Sequence, residues 1–418
     1  MFIYTPLEDS ELLKKYVEKY ASGVVLDMGT GTGIQAVAAA KRMDVRRVVA
    51  VDINKEAVDY CLQKVHHKKL TFAVSDLFSF FHGKSAHLVF TQNQKIKAKK
   101  NNKNKKNSSG KKPIRFDTMI FNPPYLPQHT GEEGTVARAL AGGKHGYELL
   151  GRFLGDAGAF LKPNGTILIV FSSLTHRDKV DELLVRNGFI WEQLEEMPLF
   201  FEKLYCYRVR WNPEVAFVRK KGVEHLAYFS HGKRGTIFTG TFKGIDVAVK
   251  LKKRESEAQD SIMNEAFWLK RINKYRIGPR FLFSGRDVVV YEFVPGDFIP
   301  DFIEKEKKER IKKVLLSVLR QCFQLDQLHA TKEEMHHPYK HILVHKGKAT
   351  LIDFERMHRT KKPQNVTQFV QYICSLSPLL EKKGIGLDCG ELRTLARDYK
   401  HEMGDFRFRK IIAVIVSV

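Results

Sequence analysis

"GVVLDMGTGTGIQAVAAAKRM", Gly23–Met43, decides how the first half of this chain folds. Its apolar opening, "GVVLDMG", predicts a short buried strand, and "IQAVAAAKRM" predicts a helix. Between them Gly29, Gly31 and Gly33 remove side chains where the backbone must turn tightly and a ligand must come close. Taken alone, this turn suits a plain strand–helix connection or a dinucleotide binder equally well. Outward from it the alternation repeats. "RVVAVDI" predicts the next strand and "KEAVDYCLQKV" the next helix, with further strands in "LTFAVSD", "FDTMIFNPP" and "GTILIVFSS". Such a series predicts an α/β fold, a doubly wound parallel sheet with helices on both faces. "GFIWEQLEEMPLFFEKLYCYRVRW" is read as supplying the last helix-flanked strands.

The strand ends carry the chemistry. Asp27 closes the first strand just before the glycines. Asp52 ends the second, where a carboxylate can accept both hydroxyls of a ribose. Asp76 ends the third, where it can accept from an adenine amino group. Acids at successive strand ends line the carboxyl edge, where open α/β sheets bind ligands. No Walker-type phosphate loop is present, so S-adenosylmethionine fits better than a nucleoside triphosphate. "FNPPY", Phe121–Tyr125, then supplies a grip for a flat nitrogen. The Asn122 side-chain oxygen and the Pro123 carbonyl can both accept from one NH2 group. Prolines fix that backbone, and Tyr125 can pack on a planar acceptor.

With these residues in place, the first half resembles the HemK/PrmC-type protein glutamine methyltransferases, in particular their short archaeal and eukaryotic branch. The resemblance rests on "YTPLEDSELL" (4–13), "LDMGTGTG", "VVAVDIN", "FNPPYLP", "AGGKHGYELLGRFL" (141–154) and "LKPNGTILIVFSSLT" (161–175). It implies a Rossmann-like class I methyltransferase over residues 1–212. The implied reaction is N5-methylation of a glutamine in the GGQ loop of a peptide-chain release factor. By resemblance Asn122, Pro123 and Tyr125 are catalytic, and Asp27, Gly29, Gly31, Gly33, Asp52, Asp76 and Asn122 hold the cofactor. Glu8 and Asp9 match the family's opening motif and shape the cofactor cleft. Members of this branch are often paired with a small zinc-binding activator subunit. The Lys/Asn-rich insertion at about 92–113 departs from the compact family pattern. Because NPPY is shared with adenine methylases, an exocyclic amine of RNA or DNA is the alternative acceptor.

After Trp211 the pattern changes, with the join near "WNPEVAFVRKKG" (211–222). "HLAYFSHGKRGTIFTGTFKGIDVAVKLKK" predicts an antiparallel meander, "ESEAQDSIMNEAFWLKRINKY" a helix, and "DVVVYEFVPG" a strand; helices dominate beyond Pro300. Lys250 in "VAVK" and Glu265 one helix later can pair and fix a lysine against phosphates, while Asp353 in "LIDFE" stands where kinases hold magnesium. Gly232 and Gly235 are candidates for a phosphate-covering hairpin, and Glu292 to Val294 for an adenine-facing linker. Over 223–418 the chain resembles atypical RIO-type kinases and, more closely, archaeal serine/threonine kinases, with lobes of about 223–295 and 296–418. That resemblance implies ATP and magnesium. The departures are His336 and His341 where kinases carry the catalytic aspartate and an asparagine, and DFE for DFG, so ATP binding is expected ahead of phosphotransfer. A non-catalytic nucleotide-binding module is the alternative.

The formal net charge of +24 makes non-specific contact with nucleic acid an expectation. Five dispersed cysteines, with no CxxC pair, signal neither a zinc site nor a disulfide framework and fit a reducing cytoplasm. The closing "IIAVIVSV" is far below the ~20 residues of a bilayer span and is read as a buried or edge strand, so no membrane partner is expected.

Overall fold

The computed structural model describes residues 6–82, 114–125, 143–232, 235–252 and 261–418. The Lys/Asn-rich insertion lies outside the described residues, as do Leu126 and Pro127 after the NPPY turn. The chain divides into two compact units, Met1–Ala216 and Phe217–Val418.

In the first unit, β1 (Gly23–Met28), β2 (Val45–Asp52), β3 (Leu70–Val74), β4 (Phe116–Phe121), β5 (Leu161–Ser172), β6 (Phe189–Pro198) and β7 (Lys203–Trp211) share one sheet. Its order is β3-β2-β1-β4-β5-β7-β6. The first five strands run parallel. Between β1 and β4 the order reverses, so the crevice beyond their carboxyl ends is where such sheets take ligands. Among the described residues the helices of this unit are α1 (Glu8–Tyr20), α2 (Ile34–Lys41), α3 (Lys55–Lys64), α4 (Ser79–His82), α5 (Glu148–Phe160) and α6 (Arg177–Arg186). In α1, Glu8, Asp9 and Glu11 sit in the first turn, where the macrodipole favours acids. Its Leu12, Leu13, Tyr16 and Val17 are buried in the core that also takes in Val25, Ile120 and Leu168 of the sheet. The N-terminus of α3 is capped by Asn54, whose side chain accepts from the Glu56 N–H at 2.9 Å. This is the Rossmann-like class I methyltransferase fold.

The last two strands differ from the sequence expectation. No helix separates them: β6 and β7 form an antiparallel hairpin, and β7 runs antiparallel to β5. Pro198 pairs with Lys203, and the Leu199 N–H donates to the Glu202 carbonyl at 2.8 Å across the tip. A turn this short admits only an antiparallel return, because a parallel crossover needs roughly a dozen residues or more.

The second unit begins within α7 (Pro213–Lys220). Five antiparallel strands, β8 (Val223–His231), β9 (Gly235–Phe242), β10 (Ile245–Lys252), β11 (Phe281–Ser284) and β12 (Val288–Glu292), lie in the order β11-β12-β10-β9-β8. Helix α8 (Ser261–Ile272) packs on this sheet through buried Ile262, Ala266 and Leu269. Beyond it come β13 (Asp297–Phe298), α9 (Ile299–Lys305), α10 (Lys308–Gln327), β14 (Ala330–Thr331), β15 (Ile342–His345), β16 (Lys348–Leu351), β17 (His358–Arg359), α11 (Asn365–Ser375), α12 (Ser377–Lys382), α13 (Cys389–His401) and α14 (Asp405–Ser417). The expected C-terminal strand is the end of helix α14. Its buried residues, Phe408, Ile411 and Ile415, recur at helical and not alternate spacing.

Candidate active site

The glycine turn is built by φ values that only glycine adopts freely: +68° at Gly29, +53° at Gly31 and +83° at Gly33. A Cβ at Gly31 would meet nothing within 4 Å, so this backbone faces open space. A Cβ at Gly33 would press on the Cys61 sulfur at 3.2 Å, so that glycine serves packing against α3. Asp52 holds the turn's shape: one oxygen accepts from the Gly31 N–H at 2.9 Å and the other from the Asn54 N–H at 2.8 Å. The Ile53 N–H also approaches this carboxylate, which keeps lone-pair capacity for a ligand hydroxyl. Asp27 is fully enclosed. Burial pushes its carboxyl up to about 7; the Thr30 hydroxyl donating at 2.7 Å opposes this, and the nearby Asp52 adds to it. Asp76 is half exposed and accepts from Arg152 at 3.0 and 3.2 Å. It thus stands in an exposed ion pair just after β3.

Asn122 follows β4 at the same edge. Its Nδ2 donates to Asp9 Oδ2 at 2.9 Å and to Ser10 Oγ at 3.3 Å. Both partners are buried, on the first turn of α1. The amide can be oriented only one way by such a carboxylate, so its oxygen points away from α1. That oxygen is buried and has no hydrogen-bond partner among the described residues. A buried acceptor left open is costly unless a donor arrives. The backbone of this turn also lies close to the glycines: a Cβ at Gly29 would stand 4.0 Å from the Asn122 carbonyl oxygen. Enclosed Asp27, the open face at Gly31, Asp52 with spare lone pairs and the open Asn122 acceptor therefore fit an adenosine-bearing methyl donor beside an NH2 group. A cleft of about 590 Å³ between α1, α2 and α3 takes in Gly33 but none of Asp27, Asp52, Asp76 or Asn122. The chemistry of the donors, not cavity size, marks the site.

Tyr125 is half-buried against the same core as α1. Gly146, with φ of +86°, presses on it: a Cβ there would come within 2.4 Å of the Tyr125 carbonyl oxygen and 3.3 Å of Thr175. The sequence signalled this glycine only as part of a motif, and it signalled Ser10 and Thr30 not at all as site residues.

The second unit holds its own charge cluster. Lys250 on β10 lies 2.8 Å from Glu265 of α8, 3.0 Å from Asp353 and 3.4 Å from Glu355. Burial alone would lower the Lys250 pKa, but the carboxylates around it, Glu265 foremost, hold it well above its ordinary value. Asp353 carries a left-handed φ of +63°, unusual for a non-glycine residue. Burial opposes its ionisation, yet the charges of Lys250 and Lys332 hold its pKa below the usual value. Lys332 is a residue the sequence reading missed. It is buried, stands 5.4 Å from the Phe354 ring, and burial pushes its pKa down to about 8. His341 lies 3.4 Å from Glu334 and 3.8 Å from Asp353, and burial followed by Lys332 lowers its pKa. Of the other candidates, Gly235 lies beside Lys250, where a Cβ would stand 4.0 Å from the lysine Cγ. Gly235 is required by strand packing, since a Cβ would stand 2.4 Å from the Leu251 carbonyl oxygen. The Gly232 N–H donates to the Gly235 carbonyl. Glu292 pairs with Arg280 at 3.0 Å, and Val294 follows in the loop beyond it.

Comparison with known proteins finds relatives for the first unit. A methyltransferase domain family matches residues 25–106. A Methanocaldococcus jannaschii protein, provisionally named protein N5-glutamine methyltransferase, is 32% identical over 206 residues, which cover 48% of this chain and 88% of that one. The release factor glutamine methyltransferase of Rhodopirellula baltica is 30% identical over 40% of this chain and 51% of its own length. Methyltransferase HEMK2 of Mus musculus is 28% identical over 44% and 79%. Among solved structures, the E. cuniculi Mtq2–Trm112 complex matches at 22% identity with a TM-score of 0.35, over 51% of this chain and all of that one.

Proposed function

The chain belongs to the protein N5-glutamine methyltransferase family, and on that premise we propose that it methylates the side-chain nitrogen of a glutamine in the GGQ loop of a peptide-chain release factor. The observation that carries this reading is the buried, open oxygen of Asn122, aimed by Asp9 and Ser10. S-adenosylmethionine, when bound, supplies a methyl group on a positively charged sulfur. An amide nitrogen is a poor nucleophile because its lone pair is delocalised into the carbonyl. Asn122 accepts one of its N–H bonds and the Pro123 carbonyl the other, turning the lone pair toward the methyl carbon. Transfer would exchange the donor's carbon–sulfur bond for the new nitrogen–carbon bond, and the amide would give up one of the two protons that Asn122 and Pro123 hold. Orientation of this kind accounts for much of the rate gain in two-substrate reactions. Tyr125 packs beside the planar group, and Asp52 takes the ribose hydroxyls. The test is incubation with a labelled methyl donor, purified release factor and RNA. Label on a release-factor glutamine, lost in Asn122→Ala, is expected; label in RNA alone would transfer the assignment to a nucleic-acid amine.

For the second unit the reading is a kinase-like domain that binds ATP with magnesium. It is supported by the Lys250–Glu265 pair and by the strained Asp353 beside it. Lys250 would meet the phosphates and Asp353 the metal. His341 offers magnesium only a nitrogen, a poor ligand for that ion, so nucleotide binding is expected to outlast any phosphotransfer. Autophosphorylation that disappears in Asp353→Ala would establish transfer; its absence in the wild type, with ATP still bound, leaves a nucleotide-sensing module.

A further inference from the structure

The tip of the β6–β7 hairpin carries two phenylalanines where a turn ordinarily carries Gly, Asn, Asp or Ser. Phe200 is 92% and Phe201 87% exposed, with ring centroids 4.5 Å apart at 88°. Their neighbours Met197 and Leu199 are not loose: both pack on the buried core that also receives Tyr125. The tip is therefore a fixed projection with an apolar end.

Its place in the sheet gives it a purpose. Phe121, just before Asn122, pairs with Ile169, and Ile169 pairs with Tyr207. From Tyr207 back to Lys203 is four strand residues, about 13 Å at ~3.3 Å each, so the tip rises well beyond the level of Asn122 on the same carboxyl edge. A continuous path joins the two. Gly146 presses on both Tyr125 and Thr175, and Ser173, in the same short turn as Thr175, accepts the Lys203 N–H at 3.1 Å. That height excludes contact with the reacting amide itself. It suits the body of a macromolecule whose loop reaches down to Asn122.

We propose that Phe200 and Phe201 dock the acceptor protein, inserting into an apolar patch beside the loop that presents its glutamine. This rests on the assignment of a protein glutamine as acceptor. Two adjoining exposed aromatics on a rigid support are the kind of group that dominates binding when buried in a partner. The experiment compares wild type with Phe200→Ser/Phe201→Ser, using full-length release factor and a short peptide spanning its GGQ loop. The double variant is expected to raise KM for the full-length protein about ten-fold or more. Its kcat at saturation, its use of the peptide and its affinity for S-adenosylmethionine should match wild type. Equal KM for the full-length protein in both would overturn docking while leaving the glutamine assignment intact. A wild type that labels no release factor overturns that assignment, and docking with it. A wild-type dimer that the double variant converts to monomer, with unchanged KM, would make the tip a self-contact and also overturn the proposal.

Discussion

At the scale of single residues, the site depends on which way one amide faces. Asp9 and Asn122 are 113 residues apart, so nothing in the local sequence announces their 2.9 Å hydrogen bond. Substituting Asp9→Leu removes the acceptor that fixes Asn122 and leaves Nδ2 with Ser10 alone. We expect kcat to fall roughly 10- to 100-fold, since misorientation by even an ångström costs on that order, while S-adenosylmethionine affinity holds. Asp9→Asn, which can still offer a carbonyl oxygen, should recover part of the loss. Equal rates for all three proteins, measured by methyl transfer at saturating donor, would remove Asp9 from the site. Asp27 gives a second residue-scale expectation. Its carboxyl titrates at 3.8 when unperturbed but at about 7 in the fold. Across that window the folded chain keeps a proton that the unfolded chain releases, so stability falls as pH rises from the lower value through the higher. Ligand-free Asp27→Asn should lose this dependence. Its melting temperature, compared with wild type, should gain between about pH 5 and about pH 8.

At the scale of elements, the packing at Gly146 makes the loop before α5 part of the site. Gly146→Ala forces both a left-handed φ on alanine and a 2.4 Å approach to the Tyr125 carbonyl oxygen. The Tyr125 backbone must move, and we expect methyl transfer to drop more steeply than stability, read as kcat against melting temperature. A second test concerns α14. Ile411→Ala, at a buried position, should cost about 2–4 kcal/mol, and Val416→Ala, half exposed, under about 0.5 kcal/mol, by chemical denaturation. The parallel strands, the glycine turn and the acids ending them were legible because the apolar runs β1, β2 and β4 are bounded by sharp turn residues. The β6–β7 hairpin was not, because "PLFFEKL" lacks the glycine or asparagine that marks a tight turn. The end of α14 was misread because "IIAVIVSV" is rich in β-branched residues, and its helical partners, Phe408 and the charged Arg407, Arg409 and Lys410, lie upstream of that apolar run. In the second unit, the order of Lys250, Glu265 and Asp353 was legible. The part played by Glu355 and Lys332 was not, since burial and not spacing makes them matter.

At the scale of the whole molecule, the two units offer opposite electrostatic problems to their proposed ligands. In Met1–Ala216, the paired acids Asp27 and Asp52 suit a donor that carries positive charge. In Phe217–Val418, Glu265, Asp353 and Glu355 all crowd Lys250, so a polyphosphate meets more negative than positive charge on its approach. A divalent cation must then accompany the nucleotide, because removing a charge from water without a partner is strongly unfavourable. Each unit is compact in itself, so each ligand should act through its own residues. At 100-fold excess over its Kd, a ligand adds about 2.7 kcal/mol, which for a unit of this size moves a melting transition by roughly 5–10 °C. S-adenosylmethionine should produce this shift in wild type and in Lys250→Ala, but not in Asp52→Ala. ATP with magnesium should produce it in wild type and Asp52→Ala, but not in Lys250→Ala, and chelation of the metal should abolish it. Stabilisation by metal-free ATP equal to that with magnesium would refute the charge argument at Lys250. Loss of both shifts in either single variant would refute the assignment of one ligand to each unit.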